Sequence, residues 1–570
     1  MKLWRKILTL VCSLSLLLPV TLMTGCTDKS GISKDPKTIN VQLISAGYGT
    51  SWVREVAGYF EDAYKDEGYK VNILYPSSDL RGTVVINELA LGYKETSVDL
   101  YITEGVLPDK VGQDSGYGAL VEELDELVYD QKPIGYDGKE EDKTVRSKLS
   151  DEMVGFMTDS YGKLYAMPYI NTAAGMVVNT KKLKSYGLEL PKTTNEMLDV
   201  FEKIYLGTNG IENSTKSGVY PVTYYPSGNG YLNPFIVTML AQYDLDSFYR
   251  FMSMQEKQAD GTYTDMVSNG YEVFNAPSLH EALTVAYQGF DAKILSDGTT
   301  NQSLDQSQAQ IMRPGGAVFM CNGDWMLNEV SGNYKNTLSD IDFINFPVIS
   351  ALGVKLFGTG TSHALSDDEC DKLLRYIIDL VDEKKDAVQI VEAVSANKSI
   401  TITEDEAKSV MTARNIYYDR GNEHQIYITK NSSKKDIAAL FMRMIASDDC
   451  VETIAKFANA NSAFLSTENN ITQYEFVKHS SQVVSSEDAL IVRWQVSGYR
   501  QKLQLSNMFP TITSIPTKIA ANSNSIYNKG TKVSGKTATV YREVAYETFG
   551  NEYRNAETQW NNWKRAAGLN

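Results

Sequence analysis

Flat rings beside carboxylates are the chemistry this sequence offers most plainly. Asp324-Trp325 follows the apolar run Gly316-Ala317-Val318-Phe319-Met320 and sets a carboxylate and a large ring at one strand end. Tyr48 and Trp52 follow the run 39–44, and Glu104 follows the run 98–102. Tyr225 sits in the aromatic loop 224–231, and Trp494 follows Arg493. Apolar walls with a few placed polar groups are the usual make-up of a ligand pocket. Rings beside carboxylates and amides suit a ligand with one face of C–H groups and a rim of hydroxyls. Each residue also has a plain structural role. Trp325 would be core with Asp324 capping the next helix, Tyr48 and Trp52 would pack a helix face, Glu104 would be a solvated loop carboxylate and Tyr225 a turn residue.

Covalent chemistry finds little support. There is no His-Glu-x-x-His and no Gly-x-Ser-x-Gly, and His280, His363, His424 and His479 are isolated. The pairs Glu122-Glu123 and Glu140-Glu141 read as solvated faces rather than as carboxylates flanking a glycosidic bond. Gly530-Thr531-Lys532-Val533-Ser534-Gly535-Lys536-Thr537 matches the phosphate-loop pattern letter for letter. That pattern works only between a buried strand and a helix, and the polar stretch 521–529 before it makes no such strand. Of five cysteines, Cys12 and Cys26 fall near the start, leaving Cys321, Cys370 and Cys450 widely spaced. They form neither a disulfide framework nor a metal cluster, so no cofactor or metal is expected.

The elements that must position these residues read as strand, helix, strand. Residues 39–44 alternate like a strand, 53–67 have helical spacing, and 69–75 form a second strand. Residues 83–91 are helical again and 98–102 are a near-continuous apolar strand. This order is the mark of a parallel α/β sheet, whose ligands lie beyond the carboxyl ends of the strands. Tyr48, Trp52 and Glu104 fall on that edge. Further strands are expected at 175–179, 316–320 and 340–347, and helices at 180–186, 372–383 and 435–445. Another helix starts near Thr194, which or whose neighbour caps it.

The ends and the composition bound the rest. Lys2, Arg5 and Lys6 precede the apolar run 7–22, and Met23-Thr24-Gly25-Cys26 follows, a signal-peptide pattern over 1–25. The run is too short to span a bilayer. Losing those three cations takes the formal charge from −16 to −19. So acidic a surface repels phosphate backbones, which excludes nucleic acid as a partner. Residues 26–38 read as a polar tether. With 42% hydrophobic residues and 570 in all, the chain has enough core for at least two domains.

Met23-Thr24-Gly25-Cys26 resembles the lipobox of bacterial lipoproteins, with Met where Leu is usual. Four further segments come in one order: Gly-Lys-Leu-Tyr-Ala-Met-Pro-Tyr at 162–169, Gly-Met-Val-Val-Asn-Thr-Lys-Lys-Leu at 175–183, Pro-Lys-Thr-Thr-Asn-Glu at 191–196, and Gly-Gly-Ala-Val-Phe-Met-Cys-Asn-Gly-Asp-Trp at 315–325. Together they resemble the extracellular solute-binding proteins of carbohydrate ABC importers, the family that includes maltose-binding protein. The resemblance implies an α/β, two-lobe, periplasmic-binding-protein-like fold with hinge-linked lobes and a ligand cleft between them. It places one crossing at 169–173 and another near 358–361. Lobe 1 would then comprise 39–168 and 358–450, and lobe 2 would comprise 169–357, completed by a helical part at 451–570. It implies a lipid-anchored, palmitate-bearing monomer on the outer face of the membrane, acylated at Cys26. Such a protein binds a carbohydrate, passes it to the permease and catalyses nothing. The ligand-binding set is Tyr48, Trp52, Glu104, Tyr169, Asn171, Tyr225, Asp324, Trp325 and Trp494. The alternatives are a surface polysaccharide hydrolase or lyase, or the same fold holding a peptide or another polar solute.

Overall fold

The alternating run at 39–44 becomes the second strand of a sheet in a computed structural model. The model describes residues 31–493, apart from 46, 107, 117, 160, 226–230, 292–293, 297, 399, 420–422, 466–474 and 485–487, together with 556–566 and 568–569. Cys26, Trp494 and the stretch 530–537 lie outside the described residues. In chain order the strands are β1 (Thr38–Leu43), β2 (Lys70–Ile73), β3 (Leu100–Glu104), β4 (Met167–Pro168), β5 (Ile170–Asn171), β6 (Ala174–Asn179), β7 (Val219–Thr223), β8 (Gln255–Lys257), β9 (Tyr263–Asp265), β10 (Gly316–Gly323), β11 (Ile341–Ile344), β12 (Ile416–Tyr418), β13 (His424–Ile428), β14 (Asn461–Ser462) and β15 (Leu490–Val492).

Lobe 1 is built on the sheet β2-β1-β3-β13-β4. Strands β1, β2 and β3 run parallel, and β13 is antiparallel to both β3 and β4. The helix Ser51–Ala63 buries Trp52, Val53, Val56, Ala57 and Phe60, one stripe at helical spacing, and packs against the helix Asp448–Ala458. Val53, Val56 and Phe60, fully buried, each contribute roughly 1.5–3 kcal/mol. At the entry to β3 Asp99 is wholly buried, and Lys434 Nζ lies 2.9 Å from its Oδ2. The Asn40 N–H and the Ser432 hydroxyl also donate to Asp99, at 2.8 and 2.7 Å, while Lys434 Nζ donates to the Thr38 carbonyl at 2.6 Å. The pair is thus fully bonded, which is what lets charges persist away from water.

Lobe 2 is built on β15-β12-β6-β10-β7, with β11 also paired to β6. Strand β6 runs antiparallel to β10, β11 and β12, and β7 is parallel to β10. The helix Thr194–Leu206 starts with a capping box in which Thr193 and Glu196 satisfy each other's backbone N–H groups, so the cap is Thr194's neighbour. Lys182 Nζ donates to four carbonyls, those of Gln310, Ile311, Gly315 and Ala317, at 2.8–3.2 Å. It thereby closes the carboxyl end of the helix Leu304–Met312.

The chain leaves lobe 1 after β4 and enters lobe 2 at β6, over residues 169–173. The crossing expected near 358–361 is not one. Those residues make a tight bridged turn between the helices Ser350–Phe357 and Asp367–Asp382, which pack on each other inside lobe 2. The return to lobe 1 comes between the end of β12 at Tyr418 and the start of β13 at His424. Residues 358–418 therefore belong to lobe 2, and the expected boundary was early by about sixty residues. The segment from 451 is likewise divided. The helix Asp448–Ala458 packs in lobe 1, β14 pairs with β5, and the helix Glu475–Val484 packs beneath β11 in lobe 2.

Replacing Lys434 by Met leaves Asp99 buried without its cation. Removing one partner of such a pair costs about 3–5 kcal/mol, so K434M unfolds at markedly lower denaturant concentration than wild type. An unchanged midpoint would mean that the Asn40 and Ser432 bonds alone hold Asp99.

Candidate functional site

Topology gathers the chemistry-bearing residues on two facing edges. In lobe 1, β1 runs into the turn bearing Tyr48 and the helix start bearing Trp52, β3 ends at Glu104, and β4 leads to Tyr169. Because β13 is antiparallel to β3, its first residue His424 stands opposite Glu104. In lobe 2, β10 leads into Asp324-Trp325, β7 into Tyr224-Tyr225, β12 into Asp419 and β15 into Arg493.

The two edges touch. The Tyr48 hydroxyl donates to Asp324 Oδ1 at 2.9 Å, and Asn461 Nδ2 donates to Asp324 Oδ2 at 3.2 Å. The Tyr48 ring meets His424 edge to face, with centroids 5.1 Å apart. His424 meets Tyr169 in the same way at 5.6 Å, and Tyr169 stacks on Trp52 at 5.2 Å and 25°. Asn328, on the helix Met326–Tyr334, donates to the Gly47 carbonyl at 2.6 Å. Asp324 does not cap that helix, which starts without a side-chain cap bond. Its carboxyl turns instead toward the other lobe.

Beside this knot lies a second aromatic group, in which Trp325 is also buried. The Trp325 ring folds back over its own strand end: a Cβ on Gly323 would stand 2.1 Å from it, so only glycine fits there. Tyr231 meets Trp325 at 6.2 Å and Tyr225 meets Tyr231 at 5.5 Å, both edge to face, with the two tyrosines half-buried. One turn on from Trp325 in the same lobe, Glu329 accepts from Gln308 at 2.5 Å, and in lobe 1 Arg81 approaches Glu104 at 3.5 Å.

Burial dominates the titration of this region. It pushes the Asp324 carboxyl up to about 7, against the bonds from Tyr48 and Asn461 that favour the charged form. Glu329 is pushed up to about 7 by the same cause, with the Gln308 bond opposing and the Glu104 charge adding. Burial also raises the Tyr48 and Tyr169 hydroxyls, which stay neutral donors. A carboxyl poised near neutrality can both accept and donate a hydrogen bond, as an alcohol does.

Of the residues expected at the site, Tyr48, Trp52, Tyr169 and Asp324 meet in one network, and Trp325 and Tyr225 lie in the adjoining aromatic series. Glu104 stands on the same edge. Asn171 does not reach the knot; it accepts from the Tyr417 hydroxyl at 3.4 Å and pairs with Asn461 through β5 and β14. Trp494 lies outside the described residues. Sequence reasoning missed His424, Asn461, Tyr231, Gln308 and Glu329. His424 looked isolated because its neighbours come from strands more than 250 residues away in sequence. Tyr231 alone had a signal, as the far end of the aromatic loop. Among the described residues no group of His, Cys, Asp and Glu has the arrangement of a metal site, and no helix is long and apolar enough to cross a membrane.

Residues 45–310 match the family described as bacterial extracellular solute-binding protein. Similar solved structures include a probable secreted solute-binding lipoprotein from Streptomyces coelicolor (14% identity, TM-score 0.51, covering 91% of this chain and 99% of that one). The GacH receptor of Streptomyces glaucescens, solved unliganded and with acarbose, is 13% identical, with TM-score 0.50 over 90% of this chain and 98% of its own. The bacterial solute receptor AcbH, with an exclusive preference for β-D-galactopyranose, is 11% identical, with TM-score 0.51 over 90% and 100%. At such identities the likeness is one of fold, the two-lobe α/β architecture. No curated protein matches the sequence significantly.

Free carboxyls titrate near 4, so the folded form binds more protons than the unfolded chain wherever Asp324 and Glu329 are held up to about 7. Their contribution to stability is therefore complete below about pH 4 and lost as pH rises through about 7. The melting temperature of wild type, measured relative to D324N/E329Q, falls as pH is raised across that window. A difference that stays flat would show both groups ionised throughout.

Proposed function

We propose that this chain, whose residues 45–310 match the bacterial extracellular solute-binding protein family, captures a carbohydrate outside the cell and delivers it to the permease of an ABC importer. The observation that carries the reading is the convergence, from the strand ends of both lobes, of rings and carboxyl or amide groups on one seam. A sugar ring needs both, a flat surface for its C–H face and acceptors or donors for its rim. Trp325, Tyr231 and Tyr225 are assigned as platforms, and Glu104, Glu329 and Gln308 as hydroxyl partners. Tyr48, Trp52, Tyr169 and Asp324 line the inner wall, and Asn171 supports it through β14. Proteins of the same fold bind acarbose and galactopyranose, which supports a sugar as the cargo.

No group in this array is placed as a nucleophile with an adjacent base, so binding without turnover is proposed rather than hydrolysis or lysis. The protein is proposed to act as a monomer. Its anchor is proposed to be acylated Cys26, joined to lobe 1 by the tether at 26–38.

A thermal-shift screen over neutral oligosaccharides, with peptides as controls, tests the cargo. A ligand at a hundred times its Kd raises stability by about 2.7 kcal/mol, and W325A weakens that ligand by about ten- to a hundredfold. Release of shortened glycans on incubation would replace this reading with the enzyme, and stabilisation by peptides alone would change the cargo. C26S tests the anchor: the protein leaves the membrane fraction and no longer takes up labelled palmitate, whereas retention of both would overturn it.

A further inference from the structure

The Tyr48 hydroxyl and the Asp324 carboxyl belong to different lobes, yet each is almost fully withdrawn from water, at 2% and 1% exposure. Both carboxyl oxygens are occupied by protein donors, Oδ1 by Tyr48 and Oδ2 by Asn461. Asn461 also donates to Ser480 Oγ at 3.1 Å, on the helix Glu475–Val484 of lobe 2, and stands opposite Asn171 where β14 pairs with β5. Asp324 is thereby tied to the turn of lobe 1 and to two segments that cross between the lobes. A second bond spans the same seam, from Asn328 of lobe 2 to the Gly47 carbonyl of lobe 1, at 2.6 Å. Both lobe-to-lobe bonds run wholly between protein groups.

We propose that Tyr48, Asp324 and Asn328 form a latch, positioning residues that hold the two lobes shut through their own hydrogen bonds, so that closure does not require a ligand to bridge the cleft. The inference rests on the reading that ligand enters between the lobes, but the latch itself is a property of the protein alone. Ligand enters only the open fraction, and its apparent affinity is reduced by that fraction. The latch therefore sets how much of the protein is receptive, and weakening it raises the association rate constant. It also speeds dissociation, because the same bonds keep a loaded cleft closed.

The test uses the mature chain in the absence of any ligand. Y75C and Y263C place reporter dyes on exposed positions of lobe 1 and lobe 2, and the native Cys321, Cys370 and Cys450 are buried. Y48F keeps the ring against His424 and removes only the hydroxyl; N328A removes the second bond. Each lost bond lowers the closed-to-open ratio by about three- to tenfold, read as lower transfer efficiency between the dyes and a larger radius of gyration in small-angle scattering. If Y48F does not fold, N328A, at a half-buried position, carries the same readout. Unchanged transfer and scattering in the folded variants would overturn the latch, as would a complex in which a ligand hydroxyl replaces Tyr48 on Asp324. Opening of Y48F or N328A together with a wild-type protein that binds no glycan keeps the latch and loses the carbohydrate reading. One that binds glycan and does not open loses the latch alone.

Discussion

A carboxyl group taken out of water must find donors, and Asp324 finds them on both sides of a seam that has to part. That requirement ties the geometry of the whole protein together. Tyr48 reaches Asp324 only because β1 ends where β10 ends, and the two sheets are set edge to edge by the crossings at 169–173, between β12 and β13 and beside β14. The stack of Trp52 on Tyr169 fixes the wall behind the bond, and His424 wedges between Tyr48 and Tyr169. Closing the lobes is thus a discrete event, in which a defined set of bonds either forms or does not.

Much of the fold was legible because parallel strands and amphipathic helices write their periods into the sequence. The helix at 83–91 and the capping box after Pro191 are local features, and local patterns suffice for them. The second crossing was not legible. Gly358-Thr359-Gly360-Thr361 has the composition of a linker, yet it turns the chain between two packed helices. The true return is made by a short segment after Tyr417-Tyr418-Asp419 with no special composition. In the site, Asp324 and Trp325 were visible because ring and carboxyl are adjacent in sequence. Tyr48 was visible too, as a ring after the first strand, but its bond to Asp324 was not, and His424 and Asn461 were missed, since all three come together only through sheet order and strand register.

For so acidic a chain, its inward-facing cations are used with care. Lys434 neutralises Asp99 in lobe 1, and Lys148 bridges Glu141 and Asp448 at 2.7 and 2.8 Å. Arg493 pairs with Asp419 at the cleft edge of lobe 2 and lies over the ring of Phe156, on the helix Asp151–Met157 that packs beside β4. Among the described residues no cation pairs with Asp324 or Glu329, and burial governs both, with Arg81 only opposing it at Glu329. The contrast divides the buried charges into those paired with an opposite charge, among which Arg493 also touches the other lobe, and those held by neutral donors alone.

The ends of the described chain ride on different lobes. At the start, Ile32 packs on the lobe 1 core and the Ser33 N–H donates to Asn40 on β1. At the end, the helix Ala556–Ala566 is pinned to lobe 2 by Trp560, whose ring fills the space where a Cβ on Gly270 would sit and whose Nε1 donates to the Val267 carbonyl at 3.1 Å. The molecule therefore carries its own calliper: the span from head to tail changes with the angle between its halves. Anything fused to the tail swings with lobe 2, while whatever is joined ahead of Ile32 stays with lobe 1.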